Sequence, residues 1–284
     1  MIPVAFDYLR PSTVDDAVAA LAEAGEDAKV IAGGQSLLPV LRLRLASPSL
    51  LVDLGDLAQL RGARIDGDRL AVGAMTTHAE VAGSDLVRAE LPLLAAVAGD
   101  IGDRQVRHRG TLGGALAHAD PAGDLPAVMV ALDAELIVVG RGGRRSIPAA
   151  EFFRDYFTTA LTPDEVLVEV RLPRLPGWGG RYEKFHRTAQ AWATVGVVAA
   201  VHRQNGSIAE ARVALTNMGP RPVRAAGVEQ ALAGADASAD ALASAAGHAA
   251  EGTSPASDLA ASAEYREHLA RVLTRRALTA AAGL

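Results

Sequence analysis

Apolar and polar positions divide the chain into short elements whose order is informative. Val14, Val18 and Leu21 recur at helical spacing over residues 14–24, with Ser12 or Thr13 placed to cap the start and Gly25 to end it. An apolar run at residues 29–32 meets Gly33-Gly34, and a second run, Leu37-Leu38-Pro39-Val40-Leu41, follows. The pattern predicts a strand, a tight turn and a short helix. Leu50-Leu51-Val52-Asp53-Leu54 supplies the next strand, so the first fifty-odd residues form a small β-α-β-α-β unit.

Further on, Gly67-Asp68 joins residues 62–66 and 69–73 as a hairpin. Thr76-Thr77 opens an Ala-rich helical region that reaches Leu91-Pro92, resumes over 93–98 and stops at Gly99-Asp100-Ile101-Gly102. Residues 103–114 carry neither helical nor strand periodicity. A helix at 124–132, a strand at 135–139, a turn at Gly142-Gly143 and a strand at 166–172 come next. Arg174-Leu175-Pro176-Gly177-Trp178-Gly179-Gly180 reads as a linker, because Pro and Gly break regular structure. Beyond it lie strands at 182–186, 195–202 and 211–216, the last two joined through Asn205-Gly206. From Val223 the chain is helical and Ala-rich, interrupted near Gly252-Thr253-Ser254-Pro255 and closed by a helix at 262–281.

Composition narrows what these elements can do. Half of the 284 residues are hydrophobic but only 4% are aromatic, so Ala, Val and Leu build the cores. A net charge of −5 argues against a nucleic-acid or acidic-membrane partner. No apolar stretch is long enough to span a membrane, and the N-terminus lacks the pattern of a cleaved signal, so a cytoplasmic location is expected. Zero cysteines exclude disulfides, zinc–thiolate sites and any iron–sulfur cluster held by this chain's own cysteines. A redox role would need an organic cofactor.

Two glycine turns carry the candidate chemistry. Gly33-Gly34 is followed by Gln35 and Ser36, and a second turn reads Gly110-Thr111-Leu112-Gly113-Gly114, with Arg107 and Arg109 just before it. Glycines let backbone N–H groups approach an anion, and two such nests suit a pyrophosphate better than one. Either turn alone reads equally as an ordinary structural turn. Neither is a G-x-G-x-x-G nor a P-loop motif. The histidines are too scattered for a metal cluster, and no nucleophile–base motif is present. Asp124, beside Pro121-Ala122-Gly123, fits either a helix N-cap or a ligand contact, and Trp192 fits either a core position or an exposed face against a cofactor ring.

Ala32-Gly33-Gly34-Gln35-Ser36 and Thr111-Leu112-Gly113-Gly114, with His118-Ala119-Asp120-Pro121 and Asp124-Leu125-Pro126-Ala127, resemble the flavin-binding medium subunit of molybdenum hydroxylases. The carbon monoxide dehydrogenase type, related to the flavin domain of xanthine dehydrogenase, is the nearest branch, and the resemblance covers essentially the whole chain. It implies an α+β fold: a two-part FAD-binding domain of the vanillyl-alcohol-oxidase (PCMH) type over residues 1–176, with subdomains of about 1–55 and 56–176. A C-terminal domain with a three-stranded antiparallel sheet and helices would fill residues 177–284. FAD would bind with its pyrophosphate between Val30-Ile31-Ala32-Gly33-Gly34-Gln35-Ser36-Leu37 and the stretch holding Thr111, Gly113, Gly114 and Ala115. Ile101 would border the flavin, Asp124 would bond ribityl or ribose hydroxyls, and Leu167 would meet the ring system through its backbone. Lys184 and Trp192 would stand close to the flavin.

The implied role is electron transfer within a complex. Molybdopterin on a large subunit and two [2Fe-2S] clusters on a small subunit would feed this FAD, in a dimer of heterotrimers, and an external acceptor would drain it. The sequence departs from the family where Lys184-Phe185-His186-Arg187-Thr188-Ala189-Gln190-Ala191-Trp192 lacks a second arginine and an aspartate, and where Ala115 replaces the usual Asn or Ser. Two other functions compete: a free-standing flavin oxidase with its own pocket base, and a scaffold subunit that has lost FAD.

Overall fold

The computed structural model describes residues 2–284. The first unit is built from β1 (Asp7–Leu9), α1 (Val14–Ala24), β2 (Ala28–Ile31), α2 (Leu37–Arg42) and β3 (Leu50–Asp53). Its strands form a parallel sheet in the order β1-β3-β2. Thr13 caps α1 by accepting from the Asp16 N–H at 3.0 Å, and Gly25 ends it with φ +64°. The terminators foreseen from the sequence are the ones the chain uses.

The second unit opens with β4 (Ala63–Asp66) and β5 (Arg69–Gly73), then runs through helices α3 (His78–Gly83), α4 (Asp85–Glu90), α5 (Pro92–Asp100), α6 (Arg104–Arg109), α7 (Leu112–His118) and α8 (Asp124–Ala131). Strands β6 (Glu135–Gly140) and β7 (Gly143–Pro148), helix α9 (Ala149–Phe152), the small hairpin β8 (Phe153–Asp155) and β9 (Thr158–Thr159), and β10 (Val166–Pro173) complete it. Its main sheet is antiparallel throughout, in the order β4-β5-β10-β6-β7. The stretch expected to be irregular is instead α6 and the start of α7. Asp103 caps α6 by accepting from the Val106 N–H at 2.8 Å, and Thr111 caps α7 by accepting from the Gly114 N–H at 3.0 Å. Helices this short show no periodicity, so the caps were the only signal.

The third unit contains β11 (Trp178–Phe185), β12 (Val195–Gln204), β13 (Ser207–Thr216) and β14 (Val223–Arg224), followed by α10 (Ala226–Leu232), α11 (Ala239–Ala246) and α12 (Ala263–Ala282). The sheet has four strands rather than three, because the two residues of β14 pair with Ala214 and Leu215 of β13. The expected linker is also shorter than its composition suggests. Gly179 and Gly180 lie within β11, and a Cβ on Gly179 would collide with the Ala281 carbonyl of α12. That glycine lets a helix end rest on a strand.

Three hydrophobic clusters hold the units together. One packs β5, β6 and β10 against α5, α7 and α8, and Val198, Ala200 and Ala214 of the third sheet join it. Val197, Ala199, Val201, Val213 and Leu215 face the other way, onto α10, α11 and α12. The third sheet is therefore buried on both faces, which is why the run 195–201 is continuously apolar. The remaining cluster joins Ala17, Val18, Leu21, Ala28 and Val52 of the first unit to Ile137, Val166 and Val168 of the second.

Candidate functional site

The two glycine turns meet. A Cβ on Gly33 would overlap the Arg109 carbonyl and lie 2.7 Å from the Gly110 Cα, so main chain from the first turn rests directly on main chain before the second. Gly34 has φ +73°, which a side chain would strain. The turns border a cavity of about 870 Å³ that runs from Leu21, Glu26 and Lys29 to Lys184, Gln190 and Trp192.

The turns are not equivalent. Among the described residues, the backbone N–H groups of Gly33, Gly34, Gln35, Ser36 and Leu37 donate to no protein acceptor. In the second turn all but the Thr111 N–H are already used. Gly110 donates to Val106 O at 2.7 Å, Leu112 to Thr76 O at 2.9 Å, Gly113 to Ala74 O at 2.8 Å, and Ala115 to Thr111 O at 3.0 Å. Gly114 donates to the Thr111 cap. The expectation of two open nests is corrected to one open nest and one largely closed wall, in which the Thr111 N–H alone lacks a protein acceptor. Gly113 does not line the cavity, and a Cβ there would stand 2.5 Å from the Ala74 Cβ, so it is a packing glycine.

Arg107 and Arg109 do not line the cavity either. Arg107 donates to the carbonyls of Ile101 and Gly102 at 2.9 and 3.1 Å, fixing the loop that presents Ile101. Of the residues expected to touch a cofactor, Val30, Ala32, Gly33, Gly34, Gln35, Ser36, Leu37, Ile101, Thr111, Gly114, Ala115, Asp124, Lys184 and Trp192 all face the cavity. Ile31, Gly113 and Leu167 do not. The Ile31 carbonyl accepts from the Leu54 N–H, and Leu167 is packed in the core. Trp192 is 56% exposed, which settles its two readings against a core position.

Asp124 and Lys184 form a buried pair across the cavity wall. Lys184 Nζ lies 2.9 Å from Asp124 Oδ2, and both side chains are almost wholly enclosed. The Tyr182 hydroxyl donates to the other carboxylate oxygen. Gly123, not Asp124, occupies the cap of α8. Burial pushes the Asp124 carboxyl above its ordinary value, against the pull of Lys184, and pushes the Tyr182 hydroxyl well up. Tyr182 was not foreseen. Its spacing of two from Lys184 puts both side chains on one face of β11, and that alternation was the available signal.

The 186–192 loop that carries Trp192 is held at its base. Thr194 N donates to the Phe185 carbonyl at 2.8 Å, closing the loop. Asn217 Nδ2 donates to the carbonyls of Ala193 and Thr194 at 2.8 and 3.3 Å, and the buried Arg266 also donates to Thr194 O. His118 and Asp120, 3.9 Å apart, line the cavity as well, with burial lowering the His118 pKa.

The group a dinucleotide such as FAD would require fits these residues. Five unpaired backbone N–H groups in succession call for acceptor-only oxygens, and the adjoining cavity is long and mixed in polarity. Sequence and structure comparisons agree with that chemistry. Residues 4–175 match the family described as the FAD binding domain in molybdopterin dehydrogenase, and residues 180–281 match the CO dehydrogenase flavoprotein C-terminal domain. The carbon monoxide dehydrogenase medium chain of Hydrogenophaga pseudoflava is 41% identical, covering 99% of this chain and 98% of its own. The 6-hydroxypseudooxynicotine dehydrogenase complex subunit alpha of Paenarthrobacter nicotinovorans is 38% identical over 99% of this chain and 96% of its own. Among solved structures, quinoline 2-oxidoreductase from Pseudomonas putida 86 superposes with a TM-score of 0.95 at 36% identity, covering 100% of this chain and 99% of that one.

Proposed function

This chain belongs to the family of FAD-binding medium subunits of the molybdenum hydroxylases, and from that premise we propose that it is the flavoprotein component of a multi-subunit oxidoreductase. It holds FAD, takes electrons from iron–sulfur clusters on a small partner subunit, and passes them to an external acceptor. Substrate oxidation belongs to a large molybdopterin subunit. Bound FAD supplies an acceptor of two electrons that can be loaded and unloaded singly, which joins one-electron centres to a two-electron acceptor. The same proposal divides the chain into a flavin domain at 1–176 and a C-terminal domain at 177–284, and places the complex in the cytoplasm, where FAD is made.

The observation that carries the proposal is the run of unpaired N–H groups at Gly33–Leu37 facing the cavity. Each residue then has a defined task. The first turn binds the pyrophosphate through the main chain. Asp124 and Lys184 would present a fixed charge pair to the bound cofactor, and Trp192 would cover part of it. The chain has no cysteine, so the clusters have to arrive on another polypeptide. Its relatives act on substrates as different as carbon monoxide and 6-hydroxypseudooxynicotine, consistent with a substrate chosen elsewhere in the complex.

Reconstitution tests this directly. The purified chain takes up FAD, and its flavin is bleached by the organic or gaseous substrate only when the large and small subunits are added. Bleaching of the isolated flavoprotein by such a substrate would instead establish a free-standing oxidase. A folded chain with no flavin absorbance that takes up no added FAD would establish a scaffold.

A further inference from the structure

His78 lines the cavity yet has no protein partner for its ring. It opens α3, is 4% exposed, and its Nδ1 is enclosed without a hydrogen bond. No described residue bonds its Nε2 either. An orphaned lone pair is the lesser penalty for a buried group, so the enclosed Nδ1 stays unprotonated and unpaired, and Nε2 is the ring atom left for a ligand in the cavity.

The position of the ring says which part of a ligand. A Cβ on Gly110 would stand 2.9 Å from His78 Cδ2 and 3.0 Å from Nε2, so the Nε2 edge lies beside Gly110. Gly110 is also the residue against which Gly33 packs. The imidazole therefore sits at the seam of the two turns, next to the unpaired N–H groups of the first. Its protonation follows from its surroundings. An orphaned buried N–H is rarer than an orphaned lone pair, so the proton of the neutral ring belongs on Nε2. Burial, and then the charge of Arg107, hold the ring uncharged.

We infer that His78 is a ligand of the cofactor's pyrophosphate, an uncharged imidazole whose Nε2–H donates to a phosphate oxygen at the seam. This rests on FAD being the occupant of the cavity. It adds a side-chain donor to a site otherwise built from main chain, and neither Arg107 nor Arg109 provides one there. A phosphate oxygen accepts and never donates, which matches the donors of the first turn, the unpaired N–H groups of residues 33–37.

The test uses the full-length chain stripped of flavin, with FAD affinity measured by fluorescence quenching and ADP affinity by competition. His78→Ala weakens both about 10- to 100-fold, the worth of one hydrogen bond to a charged group, and His78→Gln, which keeps a donor, recovers part of the loss. Affinities of folded His78→Ala for FAD and ADP that equal the parent's overturn the assignment. So does a loss confined to FAD, which would move the contact to the flavin half. Should His78→Ala not fold, the parent chain labelled with ¹⁵N-histidine answers instead: an Nε2 resonance shifts when ADP is added, and an unmoved set of histidine resonances overturns the assignment. A parent chain that binds neither FAD nor ADP fails differently, since it removes the flavoprotein proposal itself.

Discussion

At the scale of single residues, glycines that look alike in the sequence do different work. Gly34 turns the chain with a positive φ and presents unpaired N–H groups, whereas Gly113 lets α7 rest on the Ala74 backbone. Gly113→Ala is expected to cost about 1–3 kcal/mol through overpacking, read as a lower denaturant midpoint, with flavin content per folded molecule unchanged. The corresponding change at Gly34 strikes flavin uptake. Loss of flavin in folded Gly113→Ala would restore the second turn to the binding site. Lys184→Met leaves the Asp124 carboxylate buried without its counter-charge, held by the Tyr182 hydroxyl alone, a loss of about 3–5 kcal/mol. The loss is smaller at pH 5 than at pH 8, because the stranded carboxyl escapes by taking up a proton; pH-independent destabilisation would contradict the pairing.

His78 gives a second pH signature. Its pKa is pushed down from 6.5 to about 4 in the folded chain. Between those values the unfolded chain binds the extra proton and the folded one does not, so stability rises with pH through that window. The flavin-free protein keeps its full stability above about pH 6.5 and loses on the order of 3 kcal/mol by about pH 4 from this group. His78→Gln removes that part of the acid sensitivity, as unfolding curves at pH 7 and pH 4.5 will show.

At the scale of elements, the strands and long helices were legible because periodicity over ten or more residues outweighs local noise. Val14–Ala24 and the Asn205-Gly206 hairpin came directly from their caps and turn residues, and Asn205 and Gly206 do adopt the positive φ that such a turn requires. The short helices α6 and α7 and the glycines inside β11 were hidden, since their cause lies in distant chain. Gly179 is glycine because of Ala281, a hundred residues away. In the site, the open turn was legible but the closure of its partner was not, because Leu112 and Gly113 donate to the distant carbonyls of Thr76 and Ala74. The clamp on the 186–192 loop is an element-scale device of the same kind. Asn217→Gly keeps the positive φ of that position (+61°) and removes the amide that holds Ala193 and Thr194. Limited proteolysis of this variant should cut within 186–192 several times faster than in the parent, with the rest of the chain equally protected; an unchanged rate would assign the restraint to Arg266 alone.

At the scale of the whole molecule, Val166 and Val168 of the second unit and Val18 and Leu21 of the first belong to one hydrophobic cluster, with Leu21 also on the cavity wall. The two halves of the flavin domain are thus one packed body, and separating them would expose a core. A long ligand cannot be gripped by jaws that part and close. Entry and escape then depend on parts of the cavity wall that move within a fixed frame, and the loop that carries Trp192, held at its base by Asn217, is the segment proposed to set their speed. Exchange of bound FAD for an isotopically labelled pool should then be accelerated by Asn217→Gly and left unaltered by a cavity-enlarging Val18→Ala at the seam between the halves. Acceleration by the second change would mean that the halves do come apart.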